Sequence, residues 1–261
     1  MPMIDSNGCR INVTVEGAET APVLMLCNSL GTDMRMWDDQ AAEFLTHFRL
    51  VRYDRRGHGK SDAPKGPYNM EMLGRDALAV LDGLGIKQKV NWCGLSMGGM
   101  VGQWLGANAP EQMDKMVLCN THYYFPDKEL WNGRLKMARE KRLAGMVDAN
   151  MERWFTKEFR DNNPQPMAKM KAMFVETPLD GYIACGEAVR DMDHRELIDR
   201  IKVPTHVIAG RQDPATPLEA NEHLRSRIPG ATITVLEAAH ISNVAQPQAF
   251  TKAVLDFLRP N

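Results

Sequence analysis

Residues 88–109 read QKVNWCGLSMGGMVGQWLGANA, and the fold is decided by how this stretch is read. QKVNWC is a short apolar run suited to a strand, while GGMVGQWLGANA is rich in small residues and suits a helix. Between them stands Gly94-Leu95-Ser96-Met97-Gly98, a Gly-x-Ser-x-Gly pattern. By residue usage alone such a match arises in about one chain of this length in ten, so its value comes from its context. A strand that runs through a tight turn into a helix holds the serine strained and exposed. The small residues at Gly94, Gly98 and Gly99 let the backbones approach closely.

Outward from this stretch the same alternation recurs. CRINVTVE (9–16) alternates with period two and predicts a half-buried antiparallel strand, and APVLMLC (21–27) predicts a central one. FRLVRY (48–53), KMVLC (115–119), VPTHVIA (203–209) and ATITVL (231–236) are further short apolar runs of the kind that both faces of a parallel sheet bury. Helical spacing separates most of them. Met72, Leu73, Ala77, Val80, Leu81 and Leu84 share one face over 70–85, with Gly85 as a stop, and 97–109, 217–227 and 247–258 behave alike. The expected class is α/β, a mostly parallel sheet with helices on both faces and an antiparallel start. From 122 to 200 the strand pattern gives way to helical segments broken at Pro164, Pro166 and Pro178. The expected division is a core domain of 1–121 and 201–261, with 122–200 inserted as a helical cap at the carboxyl edge of the sheet.

Composition narrows the chemistry. The 261 residues carry 32 Lys plus Arg against 33 Asp plus Glu, a net charge of -1, so no broad basic surface for nucleic acid or anionic membrane is expected. A charged ligand has to be met by locally placed groups. The first twenty residues show neither a basic nor an apolar signal segment, no run approaches 18 apolar residues, and a cytoplasmic protein is expected. Five cysteines without a Cys-x-x-Cys pair indicate neither a disulfide framework nor a thiolate zinc site; Cys27, Cys93 and Cys119 are expected as buried thiols. His-Glu-x-x-His is absent, and Gly59-Lys60-Ser61 fails as a phosphate loop because Asp54 stands where its first glycine belongs. Neither a metal site nor a phosphate-loop nucleotide site is expected. Seven of the 18 methionines fall in the helical segment, which allows a Met-lined pocket there. Nothing in the sequence specifies an oligomeric state.

A serine hydroxyl is a poor nucleophile at neutral pH and needs a base, itself oriented by an acid. Asp213 follows the strand VPTHVIAG and His240 follows ITVLEA, so Ser96, Asp213 and His240 come in the order this architecture requires. The other histidines suit the base less well. His47, His194 and His223 read as helical, His206 as part of a strand, and His58 as a structural loop residue. His122 opens the helical segment, ahead of the acid, and could line a pocket. The backbone N–H of Met97, at the helix start, is the first candidate donor for an oxyanion, and that of Leu30, after the strand APVLMLC, is the second.

Together these residues resemble the α/β-hydrolase superfamily over the whole chain. NSLGTDMRMWDDQ (28–40), RYDRRGHGKSDAPKGPY (52–68), CGLSMGG (93–99), LCNT (118–121) and AHISNVAQP (239–247) are most similar to the 3-oxoadipate enol-lactone hydrolases of bacterial aromatic catabolism. Asn28-Ser29 stands where many superfamily members carry His-Gly, a departure these lactonases share. The resemblance implies opening of a small carboxylated five-membered enol lactone to 3-oxoadipate, through an acyl-enzyme on Ser96 and without a cofactor. The substrate carboxylate then calls for a cation in the cap. Arg134 is the candidate, with Trp131 and Trp154 as pocket walls and Arg153 and Arg139 as competitors. Two other readings stay open at this point: a different ester, amide or carbon–carbon bond hydrolase on the same scaffold, and a non-catalytic ligand receptor.

Overall fold

The computed structural model describes residues 2–259. The chain begins with strands β1 (Met3–Ser6), β2 (Cys9–Glu16) and β3 (Val23–Cys27), followed by helix α1 (Asp38–Phe44) and strand β4 (Arg49–Tyr53). Next come α2 (Met70–Gly83), β5 (Val90–Leu95), α3 (Met97–Asn108) and β6 (Met113–Cys119). Five helices then run without a strand: α4 (Lys128–Lys141), α5 (Val147–Trp154), α6 (Lys157–Asn162), α7 (Pro164–Glu176) and α8 (Leu179–Asp191). The alternation resumes with β7 (Thr205–Gly210), α9 (Leu218–Arg227), β8 (Thr232–Leu236), α10 (Ser242–Ala245) and α11 (Pro247–Leu258).

The strands form one eight-stranded sheet in the order β1-β2-β4-β3-β5-β6-β7-β8. β2 pairs antiparallel with both β1 and β4, and all later pairings are parallel. β3, β5 and β7 are buried along their whole length, which is why they read as unbroken apolar runs rather than alternating ones. From β3 the chain steps to β4 on one side, then returns to lay β5 on the other. The crevice at the carboxyl ends of β3 and β5 is thus the switch point where α/β sheets bind ligands. Cys27 pairs with Gly94, so Asn28–Leu30 and Leu95–Ser96 leave the sheet side by side.

Most elements lie within two residues of their sequence-based bounds, but three features differ. β1 is short and half exposed, without an apolar signature; it exists because Asn7 and Gly8, both at positive φ, turn the chain back onto β2. His47 sits in the turn after α1 and His194 in the loop after α8, not in helices. Finally, six of the seven methionines of the helical segment are buried and Met137 is exposed, and none of them lines the main cavity. The buried six belong to the hydrophobic core; Met173 also borders a separate hollow with Asp33, Lys60 and Glu176, away from Ser96. All five cysteines are buried and free. Among the described residues no helix is long and apolar enough to cross a membrane.

The helical excursion is pinned where it leaves and rejoins the sheet. Tyr124 and Asp193 form an antiparallel bridge, and the His194 N–H donates to Tyr123 O at 2.9 Å. His194 Nδ1 lies 3.1 Å from the Gln103 Oε1 acceptor, while Gln103 Nε2 donates to His122 O at 3.1 Å, which ties both ends to α3. Burial pushes His194 down from 6.5 to about 4, so it folds neutral. Between those values the unfolded chain binds a proton that the folded chain does not, and stability falls as pH drops through that window. The melting temperature should therefore decline from pH 6.5 toward 4, and less steeply in His194→Gln. Parallel wild-type and variant curves would assign the acid sensitivity to other groups.

Candidate active site

The turn between β5 and α3 places Ser96 at φ 57° and ψ -114°, outside the comfortable range of a side-chain-bearing residue. Neighbouring groups hold it there. The Ser96 N–H donates to Cys119 O at 2.8 Å, and Thr121 Oγ1 donates to Ser96 O at 2.8 Å. The glycines of the motif answer to contact. A Cβ at Gly94 would lie 2.2 Å from Gly98 O, and one at Gly98 would lie 2.1 Å from Cys27 O. Any side chain at either position would force the turn open.

Asp213 and His240 arrive from the loops after β7 and β8. His240 Nδ1 lies 2.8 Å from Asp213 Oδ2, so Nδ1 carries the proton and Nε2 is left as the basic nitrogen. The same Oδ2 accepts from Thr216 Oγ1 at 2.6 Å and Asn120 Nδ2 at 3.1 Å, while Oδ1 accepts from the N–H groups of Ala215 and Thr216 at 2.8 and 3.0 Å. Burial works against ionisation of Asp213. The charge and hydrogen bond of His240 and the Thr216 donors outweigh it and hold the carboxyl below its ordinary value. Ser96 and His240 line one cavity of about 200 Å³, with Asp213 behind the imidazole. No hydrogen bond closes between Ser96 Oγ and His240 Nε2, a contact that serine–histidine pairs often tighten only around substrate.

Leu30 and Met97 line the same cavity. Met97 opens α3, so its N–H has no partner within the helix. On either side of Leu30 the N–H groups are engaged, Ser29 with Met36 Sδ at 3.4 Å and Gly31 with His58 Nε2 at 2.9 Å. The Leu30 N–H itself has no partner among the described residues. The two candidate oxyanion donors are therefore both unspent and both beside Ser96.

The excursion between β6 and β7 supplies the facing wall. Trp131, Arg134, Arg153 and Trp154 all line it. Arg134 is held by Nε donating to Tyr182 Oη and Nη2 donating to Asn150 Oδ1, both at 2.7 Å, with its guanidinium 5.3 Å from the Trp131 ring centre. Arg153 has no salt bridge or side-chain hydrogen bond among the described residues. Burial, and then the charge of Arg134, push it down to about 10. Arg139 is removed from the site, since it pairs with Glu187 at 2.7 Å away from the cavity. The sequence reading missed Asn120 and Thr216, whose neutral side chains carry no pattern, and also Phe125 and Leu130 at the cavity. His122 does line it, with Nδ1 accepting from the Tyr123 N–H at 3.0 Å.

The chain belongs to the α/β-hydrolase family: the family model described as alpha/beta hydrolase fold matches residues 22–247. Within that family it is 40% identical to 3-oxoadipate enol-lactonase 2 of Acinetobacter baylyi, over 94% of this chain and 91% of that one. It is 34% identical to 3-oxoadipate enol-lactonase 1 of the same organism, over 97% and 94% of the two chains. The crystal structure of the enol-lactonase from Burkholderia xenovorans LB400 superposes with a TM-score of 0.96 at 40% identity, covering 98% of this chain and 99% of that one.

Two measurements probe the proton path. Asp213→Asn should lower kcat by roughly 10⁴ by favouring the wrong tautomer of His240, with the fold retained. Burial keeps His122 neutral down to about 4, so an inflection of kcat/KM near neutrality does not come from it and should stay in place in His122→Gln. A displaced inflection would put His122 in the proton transfer.

Proposed function

We propose that the protein is a serine-dependent enol-lactonase that opens a five-membered enol lactone bearing a carboxylate to 3-oxoadipate. The observation that carries this reading is one cavity with two unlike walls. On one side Ser96, His240 and two free N–H donors converge, and on the other stands a pair of arginines without an acidic partner in the cavity. Full-length similarity to the Acinetobacter and Burkholderia lactonases supports the substrate class.

In this reading Ser96 Oγ attacks the lactone carbonyl as its proton passes to His240 Nε2, and Asp213 stabilises the imidazolium. The tetrahedral oxyanion lies against the N–H groups of Leu30 and Met97. Collapse breaks the ring C–O bond. The departing enol oxygen takes the proton from His240, and the enol relaxes to a ketone. Water, deprotonated by the same histidine, then attacks the acyl-enzyme and releases Ser96 and the second carboxylate. Arg153 has free donors facing the cavity and meets the substrate carboxylate, beside an Arg134 that Tyr182 and Asn150 hold in place. Trp131 and Trp154 flank the ring as apolar walls. The substrate carboxylate offsets part of the charge that makes two neighbouring unpaired arginines costly.

The test is loss of enol-lactone absorbance with purified protein. Ser96→Ala should lose turnover by a factor on the order of 10⁴–10⁶. Arg153→Met and Arg134→Met should raise KM for the carboxylated lactone by roughly 10–100-fold, the worth of a charged hydrogen bond, while leaving a neutral aryl ester unaffected. Preference for the aryl ester by orders of magnitude in kcat/KM would overturn the lactonase reading in favour of a general esterase. An unchanged KM in both arginine variants would remove the cationic wall from substrate binding.

A further inference from the structure

Beneath the loop that follows β3 lies an arginine with which no acid among the described residues pairs. Arg55 is fully buried, and its hydrogen bonds go to neutral acceptors: Nη1 donates to Asn28 O at 2.7 Å and Nη2 to Ser29 O at 3.2 Å. Cys27 Sγ lies at 3.9 Å and His58 Nε2 at 3.5 Å, with Cys185 and Tyr53 also nearby. A guanidinium kept dry without a counter-charge is expensive for stability. Its position shows what it acts on.

We infer that Arg55, with His58, is the positioning group that aims the Leu30 N–H at the oxyanion. The inference rests on the serine mechanism proposed above. Ser29 O and Leu30 N belong to one planar trans peptide, so carbonyl and N–H point in opposite directions. A cation on the carbonyl fixes the rotation of that unit with the N–H toward the cavity, and it polarises the bond so that the N–H donates more strongly. Thr32 supports the same oxygen through Oγ1 at 2.9 Å and its N–H at 3.3 Å. The next peptide is held from its other end, where the Gly31 N–H donates to His58 Nε2 at 2.9 Å. Burial, with the charge of Arg55 alongside, keeps His58 neutral and therefore able to accept. Leu30 is thus clamped through both of its peptide units, while its own N–H remains free.

The experiment compares wild type with Arg55→Met, Arg55→Gln and His58→Ala on the carboxylated enol lactone and on a neutral aryl acetate. It also measures inhibition by a short-chain trifluoromethyl ketone, whose adduct with Ser96 carries an oxyanion, and the melting temperature. A misaimed donor should lower kcat about 10–100-fold on both substrates with KM little changed. Affinity for the ketone should weaken by a matching factor, a correlation that simple loss of stability would not produce. Arg55→Gln, which keeps one bond to a carbonyl but no charge, should fall between Arg55→Met and wild type. Wild-type kcat in either folded arginine variant overturns the inference, as does a fall in kcat without the matching loss of ketone affinity. If neither arginine variant folds, the same two readouts in His58→Ala decide it. A wild-type protein silent on the lactone but active on the aryl acetate would sink the lactonase reading alone, and the arginine would then be judged on the acetate.

Discussion

The backbone of Gly98 runs so close to the carbonyl of Cys27 that a single added carbon would lie 2.1 Å from its oxygen. That contact joins the first turn of α3 to the end of β3, and the rest of the site depends on it. It sets Ser96, on one side, against the loop carrying Leu30, on the other, without any side chain between them. Parallel pairing of β3 with β5 brings the two loops out together, and the glycine lets them touch. A larger residue at 98 would separate nucleophile from oxyanion donor even with every candidate catalytic residue still present. The positive φ of Ser96 is maintained by the same packing. Its N–H and C=O are both engaged by β6 and the loop behind it, so the strained turn has no easier conformation to relax into.

A net charge of -1 over 261 residues conceals a separation of charge inside one cavity. On the sheet side the carboxylate behind the cavity wall is Asp213, whose oxygens are already occupied by His240, Thr216, Asn120 and backbone N–H groups. Little of its charge is left to repel an anion. On the helical side Arg134 is steadied by neutral partners, Tyr182 and Asn150, which orient the guanidinium without cancelling it. Had a carboxylate filled either of those places, the arginine would be stable and useless as an anion ligand. Neutral supports on the cationic wall and a saturated acid on the other give the proposed binding mode its direction. The substrate carboxylate goes to the helices and the lactone carbonyl to Ser96.

Sequence reading singles out Ser96, Asp213 and His240 because each follows a short apolar strand, and because this architecture takes nucleophile, acid and base in that chain order. Leu30 and Met97 are singled out by backbone position alone. Asn120 and Thr216 were out of reach, since a neutral polar residue in a loop satisfies a distant carboxylate without leaving any periodic trace. The helical wall was legible only in part. Helical spacing shows which residues share a face, but not which face turns toward the cavity, so the preference for Arg134 over Arg139 and Arg153 has no basis in their partners until the structure shows them. β1 was missed for a different reason: the Asn7-Gly8 turn signal was present, but a four-residue strand with one buried position is too short to show alternation.

The arginines illustrate why partner and access, rather than charge, decide what a basic residue does. Arg56 is buried against Asp76, and the ion pair closes on itself as a structural tie. Arg139 is paired at the surface, where an exposed bridge contributes little. Arg153 is desolvated yet unpaired and faces open space, so its charge is available to a ligand. Arg55 is desolvated and unpaired as well, but carbonyl groups seal it off, and no ligand can reach it. Its charge can be spent only through the peptides it touches. One of those peptides carries the Leu30 N–H, so a cation that never meets the substrate still bears on the oxyanion through a single planar bond.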